Sequence, residues 1–137
     1  MSSVTFPGRY ESLAKIGDWV REAAQHAGLD SFAVYAVETA VDEACSNIIE
    51  HAYGGEGIGD IDCSVEEISE GLLIRLHDNG QSFDPCCVPE PDIEGALEDR
   101  AGHGLGIYIM RQWMDEVHFE FSPTQGNTLT LLKRKAK

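Results

Sequence analysis

Hydrophobic residues return with a helical period through the first third of the chain. Apolar side chains recur every three or four positions along 9–28, which predicts an amphipathic helix that stops at its final glycine. A second helix should follow, capped by Asp30 or Ser31 and ending near Tyr53, before Gly54-Gly55. Because only a short Gly-Leu-Asp turn separates the two helices, we expect them to pack side by side.

The period changes to two after residue 59. Apolar and polar residues alternate from Ile61 to Val65 and again from Leu72 to Leu76, with the turn Glu70-Gly71 between them, so the two strands should form a hairpin. Three further strands are predicted at 3–6, 117–121 and 128–132. The expected architecture is α+β: a two-layer sandwich with helices on one face of a mixed, mainly antiparallel sheet, forming one domain over residues 1–137.

Residues 80–102 have no regular period. This stretch holds three prolines and six acidic residues, with a glycine at each end. A loop of this length inside a compact domain is usually functional or disordered, and often a lid, which we place at about 81–101. Helical periodicity then returns from Leu105 to Met114.

Composition and charge exclude several classes of protein. A net charge of −14 argues against direct contact with nucleic acid, because phosphate contacts need Lys and Arg. The chain shows neither an apolar run near 18 residues nor an export leader, so we expect a cytoplasmic protein that does not enter membranes. The four cysteines form no C-x-x-C pair, and we expect reduced thiols rather than a zinc site.

The second helix carries polar side chains at the border of its apolar stripe. Glu43, Asn47 and His51 follow one another at steps of four, so they lie along one edge of the buried face. One interpretation is structural: these polar side chains form hydrogen bonds within the fold and have no chemical role. The other is chemical: Asn47 offers an uncharged oxygen to a hard cation, and Glu43 polarises a nucleophile. We interpret His51 as a structural residue that interacts with the helix dipole.

Two further features have both a structural and a chemical interpretation. Asp78 shares the parity of the buried residues of its strand, so it either hydrogen-bonds the following Asn79-Gly80 turn or accepts from an exocyclic amino group such as that of adenine. The sequence Gly102-His103-Gly104-Leu105-Gly106 opens a helix, and it either binds an anion with backbone N–H groups or acts as a hinge for the lid.

Taken in order, these motifs resemble those of the GHKL ATPases, whose nucleotide-binding domain is the Bergerat fold. The resemblance covers nearly the whole chain. It rests on Glu43-x-x-x-Asn47, Asp78-x-Gly80, Gly102-x-Gly104-x-Gly106 and Gly126-x-Thr128. The stretches VDEACSNIIEHAYGG, GHGLGIYIMRQWMDEV and GNTLTL are most similar to bacterial anti-sigma-factor serine/threonine kinases. Ser82 departs from the pattern, since many relatives have a second glycine there.

The resemblance implies a role for each motif around ATP or ADP. Glu43 is the general base, and Asn47 binds Mg²⁺ on the phosphates. Asp78 binds the adenine amino group, supported by Thr128 through ordered water, and Gly80 shapes the adjacent turn. The phosphate-side loop under the lid consists of Gly102, Gly104, Leu105 and Gly106.

The same resemblance implies a regulatory kinase. It would phosphorylate an anti-sigma-factor antagonist protein, sequester a sigma factor by partner switching and form a homodimer. The alternative is a non-catalytic module that binds nucleotide and sequesters a partner. A free-standing histidine-kinase module is disfavoured, because the N-terminal helices belong to the fold. Lys15 and Arg21 are either contacts to an acidic partner or ordinary solvated residues.

Overall fold

The computed structural model describes residues 2–81, 110–122 and 124–135. Within them two helices precede most of a five-stranded sheet. The elements are β1 (Ser2–Pro7), α1 (Tyr10–His26), α2 (Ser31–Asn47), a π-helical turn (Ile48–Ala52), β2 (Asp60–Ile68), β3 (Gly71–Asp78), β4 (Glu116–Ser122) and β5 (Gly126–Arg134). The predicted lid and most of the predicted helix Leu105 to Met114 lie outside the described residues, although 110–113 are helical as expected.

The two long helices form for the local reasons that the sequence indicates. Gly28 adopts a positive φ of 85° just after α1, a conformation that a glycine takes without strain, and the helix ends there. Asp30 is the N-cap of α2, where its carboxylate accepts a hydrogen bond of 2.8 Å from the backbone N–H of Ala33. The helices pack against each other, as predicted.

The second helix differs from the prediction in its last turn. Its α-helical part ends at Asn47, and residues Ile48–Ala52 form a π-helical turn instead of continuing to Tyr53 with α-helical bonds. The backbone N–H of Tyr53 donates to the carbonyl of Ile48, five residues back, at 2.9 Å. A π-turn keeps the apolar residues Ile48, Ile49 and Ala52 buried. The hydrophobic pattern therefore did not distinguish it from an α-helix.

The sheet has the strand order β1-β2-β3-β5-β4. All four described pairings are antiparallel, so this part of the chain contains no parallel pair of the kind that a mixed sheet would have. The β2–β3 hairpin is confirmed, with Cys63 opposite Leu76 and Val65 opposite Ile74. The edge strand near the N-terminus is also confirmed, and it pairs with β2.

Apolar side chains of both helices and of the central strands form one hydrophobic core. The fully buried members with the largest side chains include Ile16, Val20, Val37, Val41, Ile61, Leu72, Ile74, Leu76 and Leu131. Alternate residues of β3 point into this core, and Asp78 is the last residue of that series. The predicted α+β architecture is therefore confirmed. Among the described helices, none has both the length and the apolarity to span a bilayer.

Candidate functional site

The helix wall of the site consists of Glu43 and Asn47, which are one turn apart on α2. Residues at i and i+4 lie on the same face, about 6 Å apart between β-carbons. Glu43 is half-buried, and burial raises the pKa of its carboxyl group. The negative charges of Asp42 and Glu50 raise this pKa further. A carboxylate with a raised pKa is a stronger base, which is what proton removal from a hydroxyl group requires.

Asn47 is the last α-helical residue before the π-turn, and its side chain is buried. Its side-chain nitrogen Nδ2 is fully enclosed, yet it has no hydrogen-bond partner in the part of the chain that the structure describes. Leaving a buried donor unsatisfied costs about 1–3 kcal/mol, so such groups usually meet a ligand or water. Single-turn π-helices inside α-helices are often found at functional sites. The unused donor makes Asn47 a candidate contact for a polar ligand or a water molecule.

The sheet wall is built around Asp78, which is only 4% exposed. One carboxylate oxygen, Oδ1, accepts two hydrogen bonds of 2.9 Å each, from the backbone N–H of Gly80 and from Nδ2 of Asn127. None of the hydrogen bonds between described residues uses the second oxygen, Oδ2. Asp78 therefore hydrogen-bonds the turn that follows it, as the structural interpretation predicted. Its second oxygen, Oδ2, could still accept a hydrogen bond from a ligand.

Gly80 joins the helix wall to the sheet wall. A β-carbon at this position would lie 2.8 Å from the β-carbon of Ala52 and closer still to its carbonyl group. The carbonyl of Ala52, at the end of the π-turn, accepts a hydrogen bond of 2.6 Å from the N–H of Gln81. Only a residue without a side chain lets the backbone after β3 approach the helix end this closely. Gly80 therefore shapes the turn after β3, whereas its position beside adenine stays a prediction.

A small cavity lies between the two walls. Its volume is about 30 Å³, enough for roughly one or two water molecules. Its lining is mostly apolar with a few polar groups: Ala44, Asn47, Ile48, Asp78, Met110, Phe119, Phe121, Asn127, Thr128 and Leu129. Phe119 and Phe121 lie on β4, with their rings stacked at 6.1 Å between centroids. The same cavity is therefore bordered by three residues that were predicted from separate motifs: Asn47, Asp78 and Thr128.

Sequence reasoning missed Asn127. In β5 the buried residues alternate as Asn127, Leu129 and Leu131, whereas Thr128 has the opposite phase and is half-buried. Asn127, which pairs with Asp78 across β3 and β5, makes the direct hydrogen bond to that carboxylate, while Thr128 only borders the cavity. An amide sharing the parity of two leucines was the available signal, since a buried amide needs a buried partner.

The residues predicted on the phosphate side lie outside the described residues. They are Gly102, Gly104, Leu105 and Gly106, together with Ser82 and the lid. The two partner-contact predictions lie on α1. Arg21 contacts Asp18 at 2.7 Å and Glu38 at 3.8 Å. Lys15 is exposed and forms no ion pair with a described residue.

The donor set around the cavity fits a nucleotide-held cation. No cluster of three or more acidic, His or Cys side chains that could hold a metal occurs within residues 2–81, 110–122 and 124–135. Mg²⁺ bound with ATP needs few protein ligands, because phosphates and water supply most of its coordination. One amide oxygen on Asn47 matches that requirement. Cys45 and Cys63 are buried free thiols, as predicted for this part of the chain.

Comparisons with known proteins identify the family. Residues 6–133 match the model of the histidine kinase-like ATPase domain. The chain belongs to this family. Membership implies ATP binding and supports a kinase-family role for the protein, in agreement with the GHKL resemblance.

Similar proteins include several kinases from bacilli. The serine-protein kinase RsbW of Bacillus cereus (strain AH187) is 30% identical over 131 residues, which cover 93% of this chain and 80% of the relative. The protein of the same name from Bacillus thuringiensis subsp. konkukian (strain 97-27) has the same identity and coverage.

A solved structure confirms the fold alone. The histidine kinase domain of the blue-light activated histidine kinase from Erythrobacter litoralis EL346 superimposes with a TM-score of 0.55 at 16% identity. The match covers 92% of this chain, which spans 60% of the length of that chain.

Proposed function

We propose that this protein is a serine/threonine protein kinase of the anti-sigma-factor type. It transfers the γ-phosphoryl group of ATP to a hydroxyl group of an anti-sigma-factor antagonist protein, and it sequesters a sigma factor by partner switching. The observation that carries the proposal is Glu43, a half-buried carboxyl group with a raised pKa, one helical turn before a buried amide that faces the cavity. The relatives named as serine-protein kinases support the same activity.

Each wall of the site has a separate task in this mechanism. Asp78 binds the exocyclic amino group of adenine through Oδ2, because Gly80 and Asn127 hold Oδ1 and fix the plane of the carboxylate. Asn47 would hold the metal–phosphate unit: its amide oxygen would bind the cation, and its enclosed Nδ2 would donate to a phosphate oxygen. Gly102, Gly104, Leu105 and Gly106 contribute backbone N–H groups to the phosphates. Thr128 supports the adenine contact through water.

Glu43 performs the proton transfer. It accepts the proton of the serine or threonine hydroxyl as that oxygen bonds to the γ-phosphorus, and the bond to the bridging oxygen breaks to release ADP. Mg²⁺ supplies charge neutralisation on the phosphates when it is bound. Phosphoryl transfer depends mostly on positioning and charge neutralisation, so a small set of protein groups suffices. Asp42 and Glu50 assist indirectly, because their charges keep Glu43 a strong base.

The setting of the reaction is part of the same proposal. The protein acts in the cytoplasm as a homodimer, without direct contact to nucleic acid or membrane. Its acidic net charge of −14 is unfavourable for binding phosphate backbones. Lys15 is the better of the two partner-contact residues on α1, because the guanidinium of Arg21 already pairs with Asp18 and Glu38.

A second function is a non-catalytic module that binds nucleotide and sequesters its partner. The open oxygen of Asp78 and the unused donor of Asn47 would serve this function equally well, because binding nucleotide without turnover needs only the adenine and phosphate contacts. Glu43 argues for the kinase, since a module that only binds gains nothing from a half-buried carboxyl group at a cost in stability.

Label transfer distinguishes the two functions. The protein is incubated with γ-labelled ATP, Mg²⁺ and the anti-sigma-factor antagonist of the same organism, and the antagonist is then analysed for phosphoserine or phosphothreonine. If the protein is a kinase, the antagonist should be labelled stoichiometrically. ATP binding without any labelled antagonist would refute the kinase and support the binding module. A chain that binds no adenine nucleotide would refute both.

A further inference from the structure

Tyr53 links the helix wall of the site to the turn after β3. It directly follows the π-helical turn Ile48–Ala52, and its ring packs against the edge of the hydrophobic core. Its hydroxyl group makes two hydrogen bonds with backbone groups of the sheet wall. It accepts from the N–H of Asn79 at 3.0 Å and donates to the carbonyl oxygen of Asp60 at 2.5 Å. One side chain from the helix wall therefore joins the start of β2 to the turn that ends β3.

Asp60 and Asn79 face each other where the β2–β3 pairing ends. The last paired residues are Asp62 and His77, and two positions further along the antiparallel strands Asp60 lies opposite Asn79. Backbone groups of residues that face each other in this way can bond directly. Here the hydroxyl of Tyr53 lies between them and bonds to both. The hydroxyl thus takes the place of a direct bond and holds the turn away from β2.

The turn after β3 depends on the helix wall for two of its first three N–H groups. The N–H of Gly80 donates to Oδ1 of Asp78 within the turn. The N–H groups on either side of it donate to the helix wall, one to the hydroxyl of Tyr53 and one to the carbonyl of Ala52. Because Oδ1 of Asp78 is bound inside this turn, the position of the turn sets the position of the carboxylate.

A glycine lets the ring of Tyr53 reach this position. A β-carbon at Gly59 would lie 2.5 Å from Cζ of Tyr53 and 2.8 Å from its hydroxyl oxygen, too close for a side chain. Burial raises the pKa of the Tyr53 hydroxyl above its ordinary value of 10.0, although the hydrogen bond from Asn79 lowers it; the negative charge of Asp78 raises it further. The hydroxyl therefore keeps its proton at neutral pH and donates it to Asp60.

Tyr53 lies on the far side of the turn from the small cavity. The described residues that line that cavity include Asp78 but not Tyr53. Tyr53 instead borders a separate, open pocket of about 410 Å³, together with Asp60, Asn79 and Gly80. Any effect of the hydroxyl on a ligand in the cavity must therefore pass through the turn and the carboxylate of Asp78.

We propose that Tyr53 is a positioning residue for adenine recognition and acts through Asp78. This inference rests on the proposed contact between Asp78 and the amino group of adenine. By holding the turn between β2 and the helix wall, the hydroxyl keeps Oδ2 of Asp78 where it accepts from that amino group. Without the hydroxyl, the N–H of Asn79 bonds directly to the carbonyl of Asp60, and the turn moves toward β2.

Tyr53→Phe tests this role because it keeps the ring and removes only the hydroxyl. Affinity for ADP, measured by isothermal titration calorimetry, should fall about tenfold. The preference for ATP over inosine triphosphate should shrink about as much, an effect that a purely structural role would not produce. In the phosphoryl-transfer assay KM for ATP should rise about tenfold, while kcat stays within about twofold. Tyr35→Phe, which alters an exposed tyrosine near the start of α2, is the matched control and should bind as the wild type does.

A double-mutant cycle tests whether Tyr53 acts through Asp78. In the Asp78→Asn background, Tyr53→Phe should change ADP affinity less than about twofold, because the carboxylate that it positions is already gone. Losses of affinity that add in full would refute this route. Urea denaturation of each variant shows that the titrated protein is folded.

Amide hydrogen exchange at Asn79 gives a second test that needs no variant. Its N–H and the proposed adenine contact belong to one turn, so saturating ADP should slow its exchange about tenfold or more. Exchange at Gly28, whose N–H donates to the carbonyl of Gln25 at the end of α1, is the comparison and should slow less. Equal exchange at Asn79 with and without ADP would contradict the inference.

The outcomes separate this inference from the proposed function. A wild-type chain that binds no adenine nucleotide would refute both. Binding that Asp78→Asn leaves unchanged would remove the adenine contact and, with it, the role of Tyr53. If the wild type binds ADP and Asp78→Asn weakens binding, then normal affinity and base preference in Tyr53→Phe would refute the role of Tyr53 alone.

Discussion

Nδ2 of Asn127 lies 2.9 Å from Oδ1 of Asp78, where it donates a hydrogen bond between two buried side chains. The same Nδ2 is 3.2 Å from the carbonyl oxygen of Gly80. This pair of contacts fixes both the carboxylate and the turn after β3. Because Oδ1 is occupied, Oδ2 is the oxygen of Asp78 that remains for a ligand in the cavity that this residue borders. Asn127 is therefore a positioning residue for the adenine contact in the proposed site.

Asn127→Ala should reduce both stability and nucleotide affinity. Removing a hydrogen bond to a charged group costs about 1.5–3 kcal/mol of unfolding free energy. Loss of the fixed carboxylate orientation should weaken ADP binding about tenfold, which corresponds to about 1.4 kcal/mol. Urea denaturation and isothermal titration calorimetry measure the two effects. Thr130→Ala, on the same strand in the half-buried phase, is the control. Unchanged ADP affinity in a destabilised Asn127→Ala protein would limit Asn127 to a structural role.

Asp78→Asn should change which base the protein accepts. The amide oxygen can still accept from Gly80 and Asn127, so the fold should be retained, but the second oxygen becomes an N–H₂ group. Affinity for ATP should fall about 30- to 100-fold, because an unsatisfied polar pair costs about 2–3 kcal/mol. Inosine triphosphate carries a carbonyl oxygen in place of the amino group, so the preference for ATP over it should shrink or reverse. If Asp78→Asn preferred ATP over inosine triphosphate as strongly as the wild type does, the adenine base would not contact Asp78.

Gly80→Ala should disturb the junction between the helix wall and the sheet wall. The new β-carbon would collide with the backbone of Ala52, so the chain must shift at a cost of about 1–3 kcal/mol. Gly17→Ala is the matched control, since a β-carbon in the middle of α1 meets nothing within 4 Å. That change should stabilise the protein by about 0.5–1 kcal/mol through helix propensity. Equal stability of the two variants in urea would contradict the close approach at Gly80.

Glu43→Gln should stabilise the nucleotide-free protein at neutral pH. The pKa of Glu43 is raised above the ordinary value of 4.5, so the folded state retains this proton to a higher pH than the unfolded chain does. The folded state then binds more protons, and stability falls as pH rises from about 4.5 through the raised pKa. Glutamine carries no charge, so the variant avoids the loss of stability that ionised Glu43 causes in the folded state. Because the group is half-exposed, the gain at pH 7 should be at most about 1 kcal/mol. The gain should vanish at pH 4, and denaturation curves at both pH values check this.

Much of the fold follows from local patterns, but the site depends on contacts that no local pattern encodes. The Asp30 cap, the Gly28 stop and the β2–β3 hairpin arise from residues close in sequence, and each was predicted. The parity of Asp78 in β3 also placed it correctly among the buried residues. The contact of Asp78 with Asn127 was missed, because it depends on the register between β3 and β5, whose residues are about fifty positions apart.

The π-turn and the Gly80 contact escaped prediction for a related reason. Ile48, Ile49 and Ala52 are buried in either an α- or a π-helical turn, so their apolar pattern is the same. The collision that excludes a side chain at Gly80 involves the end of that turn, twenty-eight residues earlier in the chain. Packing between distant segments, rather than local propensity, decides both features.

The most direct test of the central claim is phosphoryl transfer by Glu43→Gln compared with the wild type. The assay uses γ-labelled ATP, Mg²⁺ and the anti-sigma-factor antagonist, with ADP affinity measured on the same samples. Removal of a general base should lower the transfer rate at least about a hundredfold. ADP affinity should stay within about threefold, because Glu43 does not hold the base or the metal. Glu67→Gln, which removes an exposed carboxylate on β2, is the control and should transfer at near the wild-type rate. Wild-type transfer by Glu43→Gln, or no transfer by the wild type, would contradict the account.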